Sequence, residues 1–389
     1  MTFLFWLSLL FIAYTYAGYP CLLFIWGKLF PKKTIKSYIF PEPMVSVIVV
    51  VRDEEDYIRA RIENLLEQKF PSQKLEILII SDGSKDSTND IVRSLRTHGI
   101  PERINHPTTV PPPRLRLITY KESKGKPHAI NLAVNRAKGE FLVFTDARQR
   151  FEPNAIKELI ANFSDPDVGC VSGELNFHDN SDTTIKGEMG FYWSFEKRIR
   201  KMESSIHSVP GATGAIYAIR RSLFHTLPER TLLDDVFIPM KIVLEGYRAL
   251  FDGQAIAYDT ISKDFTQEKK RKVRTLLGNY QLLGIIPDLL SPKRNPIFLQ
   301  FISHKILRLF VPFFYINIIL SSHAIDGIIY KIIFAMAITV LLLPFTGKRL
   351  SRIPHFDMIS TFGRTFVSLN YFAILAFLYL LWPGRKRLW

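Results

Sequence analysis

Residues 44–68, MVSVIVVVRDEEDYIRARIENLLEQ, change periodicity within one short charged step. The opening MVSVIVVV (44–51) has no polar face, and its valines and isoleucine are β-branched, so it reads as a strand buried on both sides. After Arg52–Asp56 the apolar residues recur at Ile58, Ile62, Leu65 and Leu66, the stripe of a helix whose first turn is acidic. The same alternation returns along the chain. LEILIIS (75–81) precedes DGSKDST and the helical NDIVRSLRT, while LRLITY and KPHAINLAVNRA lead to EFLVFT (140–145). Residues 98–114, rich in proline and polar side chains, read as a loop. Strands alternating with helices over 44–260 predict an α/β domain with a mostly parallel sheet. Ligands in such sheets lie beyond the carboxyl ends of the strands. Here those ends present Arg52, Asp53 and Glu54, then Asp82, then Asp146 and Arg148.

The rest of the chain has a different character. Of 389 residues 47% are apolar, and the net charge of +15 is gathered into clusters at Lys28–Lys36, Lys269–Arg274, Lys348–Arg352 and Arg385–Arg387. Basic clusters suit nucleic acid or an anionic membrane surface. These flank apolar segments and accompany no nucleic-acid-binding motif, which points to the membrane. Residues 2–27 carry no charge and are long enough to span a bilayer; a cleaved signal peptide would have a basic start and a shorter apolar core. Ile306–Ser322, Ile328–Phe345 and Thr365–Trp382 are three further candidate spans. The positive-inside rule places Lys28–Lys36, and with them everything to about residue 300, in the cytoplasm. The same count puts Arg385–Arg387 outside, against the rule, so either one C-terminal segment is re-entrant or interfacial or the rule fails here. The expected organisation is an anchor over 1–30, a cytoplasmic domain over 40–265, interfacial helices over 266–300 and a membrane region over 301–389. Cys21 and Cys170 show neither metal-ligand spacing nor a disulfide framework, and both are expected to be packed thiols.

Seven segments then occur in a telling order: VSVIVVVRDEE, LEILIISDGSKDST, KGKPHAIN, FTDAR, GATGAIYAIRR, LLDDV and RKVRT. Together they resemble family 2 glycosyltransferases, in the membrane-embedded branch of the cellulose and hyaluronan synthases, over roughly residues 44–280. The resemblance implies a GT-A fold, an inverting mechanism and a nucleotide-sugar donor, most often a UDP-sugar. It also implies a saccharide or lipid-linked acceptor, a multi-pass place in the cell membrane, and no nucleic-acid partner. Arg52, Asp53 and Glu54 match the nucleotide-binding turn, with Asp53 where asparagine is usual, and Asp82 stands where a carboxylate can accept the uracil N–H. Lys126, at a helix start that favours anions, is placed to reach the diphosphate.

Asp146 matches the first carboxylate of the family's D-x-D, which holds Mg²⁺ or Mn²⁺ against the phosphates. Arg148 occupies the second position. Either Asp146 holds the ion with the donor phosphates and water, or Arg148 clamps the diphosphate itself, since guanidinium pairs bidentately with phosphate oxygens. An inert Asp146–Arg148 ion pair is a third alternative. Asp235 matches the catalytic base, and Asp234 stands where glutamate is usual as its support. Thr213 and Gly214 match the strip beside the acceptor. Arg271 and Arg274 fall in the segment where processive members carry Q-x-x-R-W. Arg274 matches the arginine that meets the diphosphate, Arg271 replaces the glutamine, and Thr275 replaces the tryptophan that stacks on the acceptor sugar, which weakens the case for chain elongation. FYWSFEKRIRK (191–201) reads as an amphipathic helix, either at the membrane interface or on an ordinary surface. A lipid glycosyltransferase and a non-catalytic membrane scaffold are the competing functions.

Overall fold

The computed structural model describes residues 1–39, 41–97, 114–178, 185–260, 265–345 and 356–382. The proline-rich stretch 98–113 and the basic clusters Lys348–Arg352 and Arg385–Arg387 lie outside the described residues.

Eight strands form one sheet in the order β3-β2-β1-β4-β7-β6-β8-β5. They are β1 (Val45–Val51), β2 (Leu75–Asp82), β3 (Arg114–Tyr120), β4 (Phe141–Thr145), β5 (Arg150–Phe151), β6 (Val168–His178), β7 (Tyr217–Arg220) and β8 (Arg248–Thr260). The first half is parallel, with β1 between β2 and β4 and β3 outside β2. Antiparallel β7 joins it to β6, which pairs in parallel with β8. The parallel part is the part the alternation predicts; β7 runs antiparallel to both of its neighbours, β4 and β6, and β5 runs antiparallel to β8.

Period-two side-chain alternation splits β1 between two cores. Val45, Val47, Val49 and Val51 enter one and Ile48 the other, which is why the strand has no polar face. Helices cover both sides. The first core includes apolar residues of α3 (Glu55–Leu66), α4 (Thr88–Thr97) and α6 (Ala155–Ala161). The second includes residues of α5 (Lys126–Arg136), α8 (Asp234–Leu244) and α9 (Phe265–Ile285). Ile58, Ile62, Leu65 and Leu66 all point inward as their spacing predicts.

Outside the sheet lie α1 (Thr2–Ala13) and α2 (Tyr19–Leu29), joined by a π-helical turn; then α7 (Ile185–Ile206), α10 (Phe298–Phe301), α11 (Leu307–Ala324), α12 (Ile328–Leu342) and α13 (Phe356–Leu381). Among the described residues four helical stretches, Thr2–Leu29, Phe298–Ala324, Ile328–Phe345 and Gly363–Leu381, are long and apolar enough to cross a membrane. Large apolar side chains such as Phe3, Leu10, Leu320, Ile328 and Leu381 are exposed on them, as suits lipid. Cys170 is buried in β6, but Cys21 is exposed on α2, contrary to the expectation of a packed thiol; it shares that exposure with Phe24, Ile25 and Trp26 of the same apolar helix. Helix α7 packs against α2, with Ile199 and Ile206 meeting Tyr19 and Leu23.

The segment leaving α2 is strapped to the sheet domain. Buried Arg248 donates to the carbonyls of Lys32 and Lys33 and to Thr34 Oγ1, and also to the carbonyls of Ser204 and His207 at the end of α7. Lys36 Nζ reaches Glu158 Oε2 at 2.6 Å and Asp252 Oδ2 at 2.7 Å.

Candidate active site

The carboxyl ends of β1, β2 and β4 and the amino end of α8 face one another, and the charged residues gather there. The turn after β1 is held by its own polar groups. Asp53 has φ +54°, a left-handed conformation that Asp and Asn adopt more readily than most residues. Its Oδ1 accepts from Lys85 N at 2.7 Å, and its N–H donates to Ser84 Oγ, so it ties the β1 turn to the β2 turn. Arg52 Nη1 donates to Ser123 Oγ, which donates to Asp82 Oδ2 at 2.7 Å. The Asp82 carboxylate also accepts from the N–H groups of Lys124 and Gly125. Burial by itself would raise this carboxyl, but the nearby Tyr120 hydroxyl and the hydrogen bonds from Ser123, Lys124 and Gly125 outweigh it and hold Asp82 below the usual carboxylate range. Both of its oxygens therefore already organise the loop before α5.

Lys126 begins α5 and lies between two carboxylates, 3.2 Å from Asp146 Oδ1 and 3.4 Å from Asp234 Oδ2. Burial opposes its charge, yet Asp146, Asp234 and Asp235 together hold it above the usual lysine range. The sequence placed Lys126 against the diphosphate; here its ammonium bridges the strand-end acid and the acids of α8. Arg148 is exposed, and among the described residues it makes no ion pair with Asp146, so the inert-pair alternative does not fit. Glu54 lies near Arg148 and Asp146. Burial first, then Asp146, Asp86 and Asp53, raise its carboxyl, while Arg148 opposes the rise.

Asp234 and Asp235 occupy the first turn of α8, where the helix dipole favours anions. Asp235 is pushed up to about 6, foremost by burial and then by Asp234, with Lys126, Lys305 and Arg274 pulling it down. A Cβ added to Gly214 would lie 3.0 Å from Asp235 Oδ2, so the missing side chain lets the strip run close past this carboxylate. The strip is tied at several points. Ala212 N donates to Asp235 O at 2.7 Å, and Thr213 N donates to Ser172 Oγ at 2.9 Å.

Two arginines missed in the sequence hold these parts. Arg200 of α7 is buried and donates to Thr213 Oγ1, to Gly211 O at 2.9 Å and to Ser172 Oγ at 3.1 Å. Arg61 of α3 is buried under β4. It donates to Thr145 Oγ1 at 2.8 Å and Gln149 O at 2.9 Å, and stacks on Phe151, bracketing Asp146 from below. A charged residue on the apolar stripe of α3, one step before Ile62, was the available signal for Arg61. Arg200 had only its place in an amphipathic helix.

Of the two arginines expected in α9, Arg274 is close enough to bear on Asp235 and Lys126, whereas Arg271 pairs with Glu268 of its own helix at 3.5 Å. Thr275 Oγ1 donates back to Arg271 O at 3.0 Å. Helical geometry places positions 271 and 274 a turn apart, and the neighbours of α9 decide which one meets the site.

Among the described residues no group of three His, Cys, Asp or Glu side chains is arranged to hold a metal ion. Asp146 remains as a single, 42% exposed carboxylate open to such an ion. One protein carboxylate fits Mg²⁺, which keeps water ligands and shares substrate phosphates.

The model for glycosyl transferase family 2 matches residues 46–227, and that for glycosyl transferase family group 2 matches residues 141–350. The poly-beta-1,6-N-acetyl-D-glucosamine synthase of Staphylococcus aureus is 22% identical over 272 residues, 69% of this chain and 62% of that protein. The probable glycosyltransferase YdaM of Bacillus subtilis is 25% identical over 265 residues, 66% of this chain and 60% of that protein. The chain thus spans about three-fifths of the length of these relatives. The mannosyltransferase PcManGT from Pyrobaculum calidifontis, solved in complex with GDP-Man and Mn²⁺, shares the fold, with a TM-score of 0.74 and 22% identity over 98% of this chain and 100% of that one. A sheet of this order, with acids at its carboxyl edge and family models that together cover residues 46–350, leads to one conclusion: the chain belongs to the family 2 glycosyltransferases.

Proposed function

We propose that this protein is a membrane-anchored, inverting glycosyltransferase that moves a hexosyl group from a UDP-sugar to a hydroxyl of a growing polysaccharide or lipid-linked acceptor. The observation that carries the reading is Asp235, a carboxylate pushed up to about 6 by burial and Asp234, lying against the bare backbone of Gly214. A general base works best with a pKa near the operating pH. Asp235 takes the acceptor's hydroxyl proton as that oxygen bonds to the anomeric carbon. The bond from that carbon to the phosphate oxygen breaks, its electron pair leaves with the nucleoside diphosphate, and the configuration inverts. Lys126 and Arg274 face the leaving charge, and Arg148 stands exposed at the same strand end. Asp146 would hold Mg²⁺ or Mn²⁺, which when bound neutralises charge on the departing diphosphate.

In this reading the four apolar stretches cross the cell membrane, and the sheet domain lies on its cytoplasmic side, where nucleotide-sugars are made. The basic residues of α9 and the linker after α2 then meet anionic headgroups. The test is nucleotide release by the detergent-solubilised protein from a panel of UDP- and GDP-sugars, with membrane lipids present. Release from a UDP-sugar that is lost in Asp235→Asn supports the proposal. Full activity in that variant refutes the base, and release from GDP-sugars alone refutes the donor.

A further inference from the structure

The start of the second apolar span carries three adjacent basic side chains on or beside a π-helical turn, Ile302–Ile306. His304 is fully engaged, and Arg308 is engaged through its Nη1. His304 has its ring nitrogens 2.8 Å from Glu203 Oε1 and 2.5 Å from Glu196 Oε1. Arg308 Nη1 donates to Glu196 Oε2 at 2.8 Å, and Tyr19 from α2 donates its hydroxyl to Glu203 Oε1 at 2.5 Å. These contacts bind α7 to both membrane helices and use three of the four oxygens of its two acids. The fourth, Glu203 Oε2, is buried without a hydrogen-bond partner.

Lys305 is left over. Among the described residues no carboxylate oxygen lies within 4 Å of its ammonium, although Glu196, Glu203, Arg200 and Asp235 are all within electrostatic range. The residue as a whole is only partly buried. Ile306 and Leu309 just beyond it share one core with Leu232, Leu233, Val236 and Phe237, the residues around the start of α8 that carry Asp235. Lys305 therefore stands where the membrane segment abuts the proposed base. Charge on a membrane segment is costly and persists where it meets a partner or a polar path.

We propose that Lys305 seats the phosphate of a lipid-linked acceptor, a saccharide joined to a membrane lipid through a phosphate or diphosphate. The sugar hydroxyl then points to Asp235 and the lipid tail runs along the membrane helices. This rests on the transferase reading above and narrows its acceptor. A neutral glycan would leave the ammonium without an anionic partner in direct contact, and a soluble phosphate would have no use for a seat on a membrane helix. Lysine meets phosphate as a flexible point charge, so the site selects for charge and location more than for the sugar.

Binding tests this without turnover. Farnesyl diphosphate and farnesol are titrated against the full-length protein in neutral detergent, with phosphatidylglycerol as competitor. The expected result is at least tenfold tighter binding of the diphosphate than of the alcohol, about 1.4 kcal/mol. That preference is lost in Lys305→Gln and kept in Lys305→Arg, which retains the charge. Equal binding of the two probes by the wild-type protein overturns the proposal, as does a preference that survives in Lys305→Gln. Displacement of the diphosphate by an equal concentration of phosphatidylglycerol assigns the site to bulk headgroups and overturns the acceptor as well. Nucleotide release by the wild-type protein, measured with donor alone, reports separately on the transferase reading.

Discussion

Replacing Asp235 with asparagine should cost activity and add stability, and pH separates the two effects. An unfolded aspartate titrates near 3.9. In the folded protein Asp235 is pushed up to about 6, foremost by burial and then by Asp234. A gap of about 2 units at about 1.4 kcal/mol each is about 3 kcal/mol. The sign follows from the direction of the shift. The folded state binds this proton more tightly than the unfolded one, so the associated stability is fully present below about pH 4 and is lost as pH rises through about 6. Above that pH the ionised carboxylate burdens the fold by about 3 kcal/mol. The groups facing it are Asp234 on its own helix, Lys126 of α5, Arg274 of α9, Arg200 of α7, Tyr217 of β7 and Lys305 of the membrane segment. Asp235→Asn keeps the shape and removes the charge. Its melting temperature in detergent at pH 7.5 should exceed that of wild type by about 5–10 °C, and the difference should vanish toward pH 4. Transfer should fall by about 10²–10⁴-fold, the range for loss of a general base. Wild-type kcat/KM should rise tenfold per pH unit up to about 6 and then level off, since this ratio reports the free enzyme. A variant less stable than wild type at pH 7.5, or a stability gap that ignores pH, would refute the reasoning, because either outcome means that the charge is not held against burial.

Gly214→Ala places a methyl group 3.0 Å from Asp235 Oδ2; kcat should fall about tenfold or more while donor KM changes little, read from steady-state kinetics. Lys126→Met leaves Asp146 and Asp234 facing each other without their shared cation, so donor affinity measured by calorimetry should drop at least tenfold. Excess EDTA should stop nucleotide release if Asp146 holds an ion. If release persists, Arg148→Ala should then be inactive. Arg200→Ala unties Gly211, Thr213 and Ser172 at once, and urea or thermal unfolding should show a loss of about 1–3 kcal/mol together with a fall in kcat; Arg200→Lys should recover part of each.

Much of the fold could be read directly. Ile58, Ile62, Leu65 and Leu66 lie where their period of about 3.6 puts them, and β1 is buried on both faces as its β-branched, nearly all-apolar run requires. The long apolar helices were equally legible, because the thickness of a hydrocarbon layer sets a length that composition alone reveals. These are local properties: a periodicity or a run length needs no knowledge of what lies opposite. The order of the acids at the carboxyl edge also followed, since every parallel strand ends on the same side.

Which atoms meet across that edge was decided only in three dimensions. Nothing local distinguishes Arg271 from Arg274, or shows that Asp82 is already satisfied by Ser123, Lys124 and Gly125. Lys126 sits 20 residues before Asp146 in the chain yet bridges it to Asp234, a residue on another element altogether. Arg61 stands out only as a charge on an apolar stripe and Arg200 not at all, and their carbonyl and hydroxyl partners arrive from distant parts of the chain. Asp235 carries an ordinary aspartate side chain, and burial with Asp234 beside it moves its proton toward neutral pH. The physical reason is common to all of these. Burial, hydrogen-bond satisfaction and charge coupling act over a few ångströms of space, and distance along the chain does not report them.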